Sequence, residues 1–202
     1  MAAVAEAHGT PCYVYSRAVI ESNYAAYSAA FDQRRHQICY SVKANGNLGL
    51  LDVLVRLGAA FDIVSVGELE RVRAAGGDLT TVTFAGVGKT RAELEQALAA
   101  EISCFNVESI EELELLAAVA TARGVDAPVA LRVNPDVDAN THPYIATGLN
   151  ENKFGIPMPD AMDVYRRAAA LAGLRVTGVA CHIGSQLTSV GPIIDAAERV
   201  MQ

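Results

Sequence analysis

The chain has 202 residues, of which 51% are hydrophobic and 19% charged, and its formal net charge is -7. That length suits one domain, or one domain with part of another, and the composition is globular and slightly core-rich. The acid excess argues against a nucleic-acid surface, which needs a basic stripe, and no apolar run is long enough to span a membrane.

The opening "MAAVAEAHGTP" carries Glu6 and His8 and has no basic region ahead of an apolar core, so it does not read as a secretory signal. Cys12–Tyr15 is the first strand candidate, and Ala18–Phe31 follows with helical spacing. Strand Gln37–Lys43 then leads to helix Leu48–Leu57, strand Phe61–Ser65 to helix Glu68–Ala75, and strand Val82–Ala85 to helix Arg91–Ala100. Strand Cys104–Val107 leads to helix Ile110–Ala122, strand Val129–Asn134 to helix Pro159–Ala172, and strand Val176–His182 to a last helix from Pro192. Ser65 with Glu68, Thr90 with Glu93 and Ser109 with Glu112 fit the capping box, while Gly58 and Gly124 stand where helices stop. Cys12, Cys39, Cys104 and Cys181 lie far apart in apolar runs with no Cys-x-x-Cys pair. They read as buried free thiols of a reducing, cytoplasmic compartment, and no metal site is assigned.

From Gln37 onward strands and helices alternate, which implies a parallel sheet covered by helices. The architecture is then an open doubly wound sheet or a (β/α)8 barrel. The short, even repeat favours the barrel, as does the lack of a Gly-x-Gly-x-x-Gly turn after the first strand. "GVGKT", Gly86–Thr90, resembles the tail of a phosphate-binding loop, but the glycine required five positions before Gly88 is Thr83. Thr90 is better used as a helix cap. The connection "NPDVDANTHPYIATGLNENKFGIPMP" breaks the beat and is too long and too apolar to be a passive linker. In a barrel it leaves the C-terminal end of a strand, where active sites lie. It is expected to cover that mouth and to contribute to substrate selection.

Lys43 ends the apolar run Ile38–Val42, just before an Asn/Gly turn. It is either a solvated strand terminus or a lysine at a pocket mouth, where desolvation favours the neutral, nucleophilic amine. A barrel would gather Lys43, Asp62, Arg132, His182 and Ser185 at one mouth. His182 is equally readable as a core histidine. Gly184 and Ser185 are either a turn or an anion site of backbone N–H and hydroxyl groups. Together these suggest a carbonyl cofactor with a phosphate handle.

The motifs "YSVKANGN", "FDIVSVGEL", "FAGVGKT", "CFNVES", "LRVNPDVDANTHPYIATGL", "NKFGI" and "CHIGSQL" resemble, in order, the N-terminal half of the diaminopimelate decarboxylase family. That family belongs to the alanine-racemase-like decarboxylases that bind pyridoxal 5'-phosphate (PLP) in a barrel. The resemblance covers nearly the whole chain and implies an α/β fold, a PLP-binding (β/α)8 barrel. By resemblance, Lys43 carries the cofactor covalently, His182 stacks on its ring, Ser185 holds its phosphate, and Asp62 and Arg132 lie beneath and beside it. Glu68 falls in a matching segment, but its cap geometry suffices to explain it. The implied reaction is decarboxylation of meso-diaminopimelate to L-lysine, with a small amino-acid substrate, no nucleic-acid or membrane partner, and a homodimer for the complete enzyme. The alternatives are a related ornithine or arginine decarboxylase, or a non-catalytic PLP-binding barrel protein.

Only six of eight barrel strands are counted, against the roughly 250 residues typical of the fold. Residues 16–202 are expected to be the N-terminal part of the barrel. Residues 1–15 are expected to supply a strand segment to a C-terminal β domain not in this chain. The last segment, "GPIIDAAERVMQ", ends mid-pattern without a C-cap, and on its own the chain is expected to be inactive.

Overall fold

The computed structural model describes residues 1–137, 154–185 and 187–202. Among the described residues seven strands form: β1 (Cys39–Ser41), β2 (Ala60–Ile63), β3 (Thr83–Phe84), β4 (Cys104–Val107), β5 (Ala127–Asn134), β6 (Ile156–Pro157) and β7 (Leu174–Ala180). Eight helices accompany them: α1 (Ala2–His8), α2 (Arg17–Phe31), α3 (Leu48–Arg56), α4 (Val66–Ala74), α5 (Arg91–Ala99), α6 (Ile110–Arg123), α7 (Ala161–Ala170) and α8 (Gly191–Val200). Pairing is parallel throughout and runs β1-β2-β3-β4-β5-β7, with the two-residue β6 on the C-terminal end of β5. Chain-order neighbours joined by helical crossovers are the staircase of a (β/α) barrel. The sheet is not closed: among the described residues β1 pairs only with β2, and β7 only with β5.

Alternation along each strand decides the two faces. Phe61, Ile63, Phe84, Phe105, Val107, Val129, Leu131 and Val133 are buried against Leu51, Leu69, Leu94, Leu113 and Leu116 of the helices. Each such side chain contributes about 1.5–3 kcal/mol when removed from water. Ser41, Asp62, Thr83 and Cys104 share one row across the sheet and point to the other face, the inner wall. At β7 the row is interrupted. Val129 lies opposite Val176 but Ala130 opposite Gly178, so Thr177 is a bulge residue whose hydroxyl donates to the Val129 carbonyl at 3.0 Å.

Helix starts follow local chemistry. Asn47, Ser65, Thr90 and Ser109 each accept a backbone N–H of the first turn, and Gly124 ends α6 in the left-handed region at φ 68. Only Thr90–Glu93 closes as a capping box. The carboxylates of Glu68 and Glu112 instead accept the N–H one residue before the cap, from Val64 at 2.8 Å and Glu108 at 3.2 Å.

Three expectations need correction. Cys12–Tyr15 is not a strand here, and Tyr13 is 92% exposed; no strand among the described residues pairs with it. The helix Ala2–His8 was not expected; it buries no residue. The four thiols are free, but Cys12, Cys39 and Cys181 are exposed, because Cys39 and Cys181 flank the unpaired edges of the sheet. No helix of the described residues is long and apolar enough to cross a membrane.

Candidate functional site

The C-terminal ends of parallel strands direct backbone and side chains to one mouth. Lys43 lies just beyond β1, in a single 3-10 turn over Val42–Ala44 anchored by the buried Val42. The turn that follows is tied on three sides. The Tyr40 hydroxyl donates to the Asn45 carbonyl at 3.3 Å, the Asn47 N–H to Asn45 Oδ1 at 3.0 Å, and Arg71 Nη1 of α4 to the Gly46 carbonyl at 3.1 Å. A Cβ on Gly46 would stand 3.2 Å from Arg71 Cδ, so glycine leaves room for that clamp. Lys43 itself is exposed, so of the two alternatives left open it is solvated in this chain; the sheet edge at β1 is open among the described residues.

Asp62 on β2 is half-buried and accepts the Ser41 hydroxyl at 3.2 Å. Burial pushes its carboxyl above the ordinary carboxylate range, against the opposing pull of the Ser41 hydrogen bond, Lys43 and Arg132. His182 lies two residues past β7. Partial desolvation, then the charges of Arg132 and Lys43, hold its imidazole below the ordinary histidine value, with Glu108 acting in the opposite direction. Lys43 and Arg132 thus both favour the ionised Asp62 and the neutral His182.

Arg132 on β5 donates from Nη1 to Glu108 Oε2 at 2.9 Å, and its guanidinium lies 5.7 Å from the Phe154 ring centroid. Its buried Nε has no hydrogen-bond partner among the described residues. Gly155, at φ 80, lets the chain pass close by: a Cβ there would be 2.8 Å from Asn134 Oδ1 and 3.0 Å from the Arg132 carbonyl. Ser185 is exposed beside Gly184, whose φ of 140 suits a glycine, while Ile183 packs with Val137 and Ala196 beneath. His142–Gly148, part of the connection expected to cover the mouth, lies outside the described residues.

Lys89 is absorbed by the fold. Its ammonium is fully buried and donates to the Gly86 carbonyl at 2.6 Å, the Asn106 carbonyl at 2.8 Å and Glu112 at 2.7 Å. No donor of "GVGKT" is left for a phosphate on that lysine, and Thr90 caps α5. Sequence reasoning missed this ion pair and also Glu108. Glu108 stands directly after β4, at the end of a strand, which was the available signal.

Residues 17–202 match the model for the pyridoxal-dependent decarboxylase, pyridoxal binding domain. The chain belongs to that family. It is 63% identical over 198 residues to diaminopimelate decarboxylase of Pseudomonas aeruginosa, covering 98% of this chain and 48% of the relative. The structure of diaminopimelate decarboxylase from Helicobacter pylori complexed with L-lysine superposes with a TM-score of 0.95 at 42% identity, covering 98% of this chain and 50% of that one. Lysine decarboxylase from Selenomonas ruminantium superposes at 0.84 with 27% identity, over 98% of this chain and 49% of that one. The chain spans about half the length of the curated relatives it matches. The cofactor of the family is pyridoxal phosphate, and the mouth fits it chemically. It offers a primary amine, a carboxyl, an imidazole and a guanidinium with an unsatisfied buried N–H, which suits an anionic aromatic aldehyde.

Proposed function

We propose that this chain carries the cofactor-binding part of a PLP-dependent decarboxylase that converts meso-diaminopimelate to L-lysine and CO2. The observation that supports the reading is the placing of Lys43 and His182 just beyond strands β1 and β7, beside Asp62 and Arg132 on parallel strands of the same sheet, in a chain of this family. The high identity to diaminopimelate decarboxylases supports the substrate over ornithine or arginine.

When bound, the pyridoxal ring supplies an electron sink for the electron pair left as CO2 departs. The chain's own residues supply attachment and orientation. Lys43 would hold the cofactor through Nζ, and the tied Asn45–Asn47 turn fixes the backbone that follows it. His182, kept toward its neutral form, offers a flat face for stacking without adding a charge. Asp62 and Arg132 would supply opposite charges to the bound ring, and Ser185 with Gly184 would offer hydroxyl and N–H groups to the phosphate. The connection Pro135–Pro157 contributes to substrate selection, supported by its length and composition. Residues 1–15 join a C-terminal β domain, a reading supported by the exposed Tyr13, Val14 and Tyr15. The complete enzyme is a cytoplasmic homodimer, in keeping with the free thiols and the family resemblance.

Borohydride reduction of the full-length protein with PLP, followed by peptide mapping, should label Lys43. CO2 release across a panel of diaminopimelate, ornithine, arginine and lysine should single out diaminopimelate. A label on another lysine would remove the site assignment, and a preference for ornithine or arginine would replace the substrate.

A further inference from the structure

Arg132 is tied into a closed set of four charges, of which Glu108, Glu112 and Lys89 have no role assigned above. Glu108, 4% exposed, accepts the Gly86 N–H on Oε1 at 2.8 Å and Arg132 Nη1 on Oε2 at 2.9 Å. Its own N–H donates to Glu112 Oε2 at 3.2 Å, and Glu112 Oε1 receives Lys89 Nζ at 2.7 Å. Gly86 closes the circuit, since its N–H goes to Glu108 and its carbonyl to Lys89 at 2.6 Å. The side chains of Lys89, Glu112, Arg132 and Glu108 are 0, 9, 13 and 1% exposed.

Two buried ion pairs are poor value as stability, because desolvation offsets most of their attraction and apolar residues of similar volume do as well. What such a network does supply is orientation. A guanidinium is a planar fork whose direction is set by the bonds it makes. Glu108 engages one edge of the Arg132 fork and is itself held at both carboxylate oxygens and at its backbone. Without it, Arg132 has a competing carboxylate within its electrostatic reach in Asp62.

We propose that Glu108 is a positioning residue for the cofactor site: gripped by Gly86 and by Glu112, which Lys89 in turn holds, it fixes Arg132 in one orientation at the strand-end mouth. The proposal rests on the reading of that mouth as the pyridoxal site. In the full-length enzyme, Glu108→Gln keeps the shape and removes the charge. It should lower kcat by about tenfold or more, as misplacement of a positioning group does. It should also weaken equilibrium binding of PLP to the apoenzyme, read by absorbance, while KM for diaminopimelate stays within about threefold. Because Glu108 acts through Arg132, the Glu108→Gln/Arg132→Gln double variant should match Arg132→Gln alone within about threefold. Glu108→Asp guards against a folding failure. It retains the charge but is too short to reach Gly86 and Arg132 together, and should lower kcat by about threefold or more at an unchanged thermal midpoint.

Wild-type kcat and PLP affinity in Glu108→Gln or Glu108→Asp would overturn the proposal, as would losses that multiply in the double variant. A wild-type apoenzyme that binds no PLP would instead overturn the cofactor reading, and this proposal with it.

Discussion

Replacing Lys89 with methionine tests the interior role of the "GVGKT" lysine. Methionine fills a similar volume but leaves the Glu112 carboxylate, only 9% exposed, without its cation, and strips a donor from the Gly86 and Asn106 carbonyls. At 2.7 Å the pair attracts by about 6 kcal/mol at an effective dielectric of about 20, most of it offset by desolvation. Removing one partner of a buried pair costs about 3–5 kcal/mol, because the other charge stays buried and uncompensated. Against a typical stability of about 5–15 kcal/mol that is a large share. With about 2–4 °C per kcal/mol for a domain of this size, the thermal midpoint should fall by about 6–20 °C. Thermal and urea unfolding of the full-length protein measure this, with Lys89→Met/Glu112→Leu as the paired control. Removing both charges should recover more than half of the loss. A Lys89→Met protein within about 1 kcal/mol of wild type would refute the reasoning. So would a double variant whose losses simply add.

Three further outcomes follow from single features. Gly155→Ala should cost about 2 kcal/mol or more by chemical denaturation, since φ 80 is strained for alanine and its Cβ would stand 2.8 Å from Asn134 Oδ1. Gly88→Ala, with open space around the new Cβ, should cost far less. His182 should titrate below 6.5 by NMR in the cofactor-free protein, and Arg132→Gln should raise its midpoint by removing a neighbouring positive charge. Because the folded value is depressed, its contribution to stability is present above pH 6.5 and is lost as pH falls through the folded value; a midpoint at or above 6.5 would contradict this. A polypeptide of these 202 residues alone should be oligomeric or poorly soluble and release no CO2 from diaminopimelate. Among the described residues its β1 and β7 edges have no strand partner, and Val176 and Val179 are 39% and 42% exposed. A monomeric, active preparation would refute that.

Much of the architecture was legible in the residues because its causes act over a few positions. Thr90 and Glu93 close a capping box within one turn, Gly124 ends α6 by its own φ, and apolar alternation marks β4 at its observed bounds, Cys104–Val107. The same local logic put Lys43 and His182 near strand ends, though each proved to lie in the turn beyond its strand. Other features depend on pairs far apart in the chain. Gly86 meets Glu108 across 22 residues and Glu108 meets Arg132 across 24, and both contacts exist only because β3, β4 and β5 pair in one register. Lys89 stood out only as part of a phosphate-loop look-alike and Glu112 only as a helix cap, whereas that register buries them against each other. Exposure of Lys43 and Cys39 was likewise not in the local pattern, because it depends on whether a further strand lies beside β1. Hydrogen bonds and periodicity within a turn are written in neighbouring residues. Burial of charge depends on neighbours far apart in the chain, and only the packed sheet brings those together.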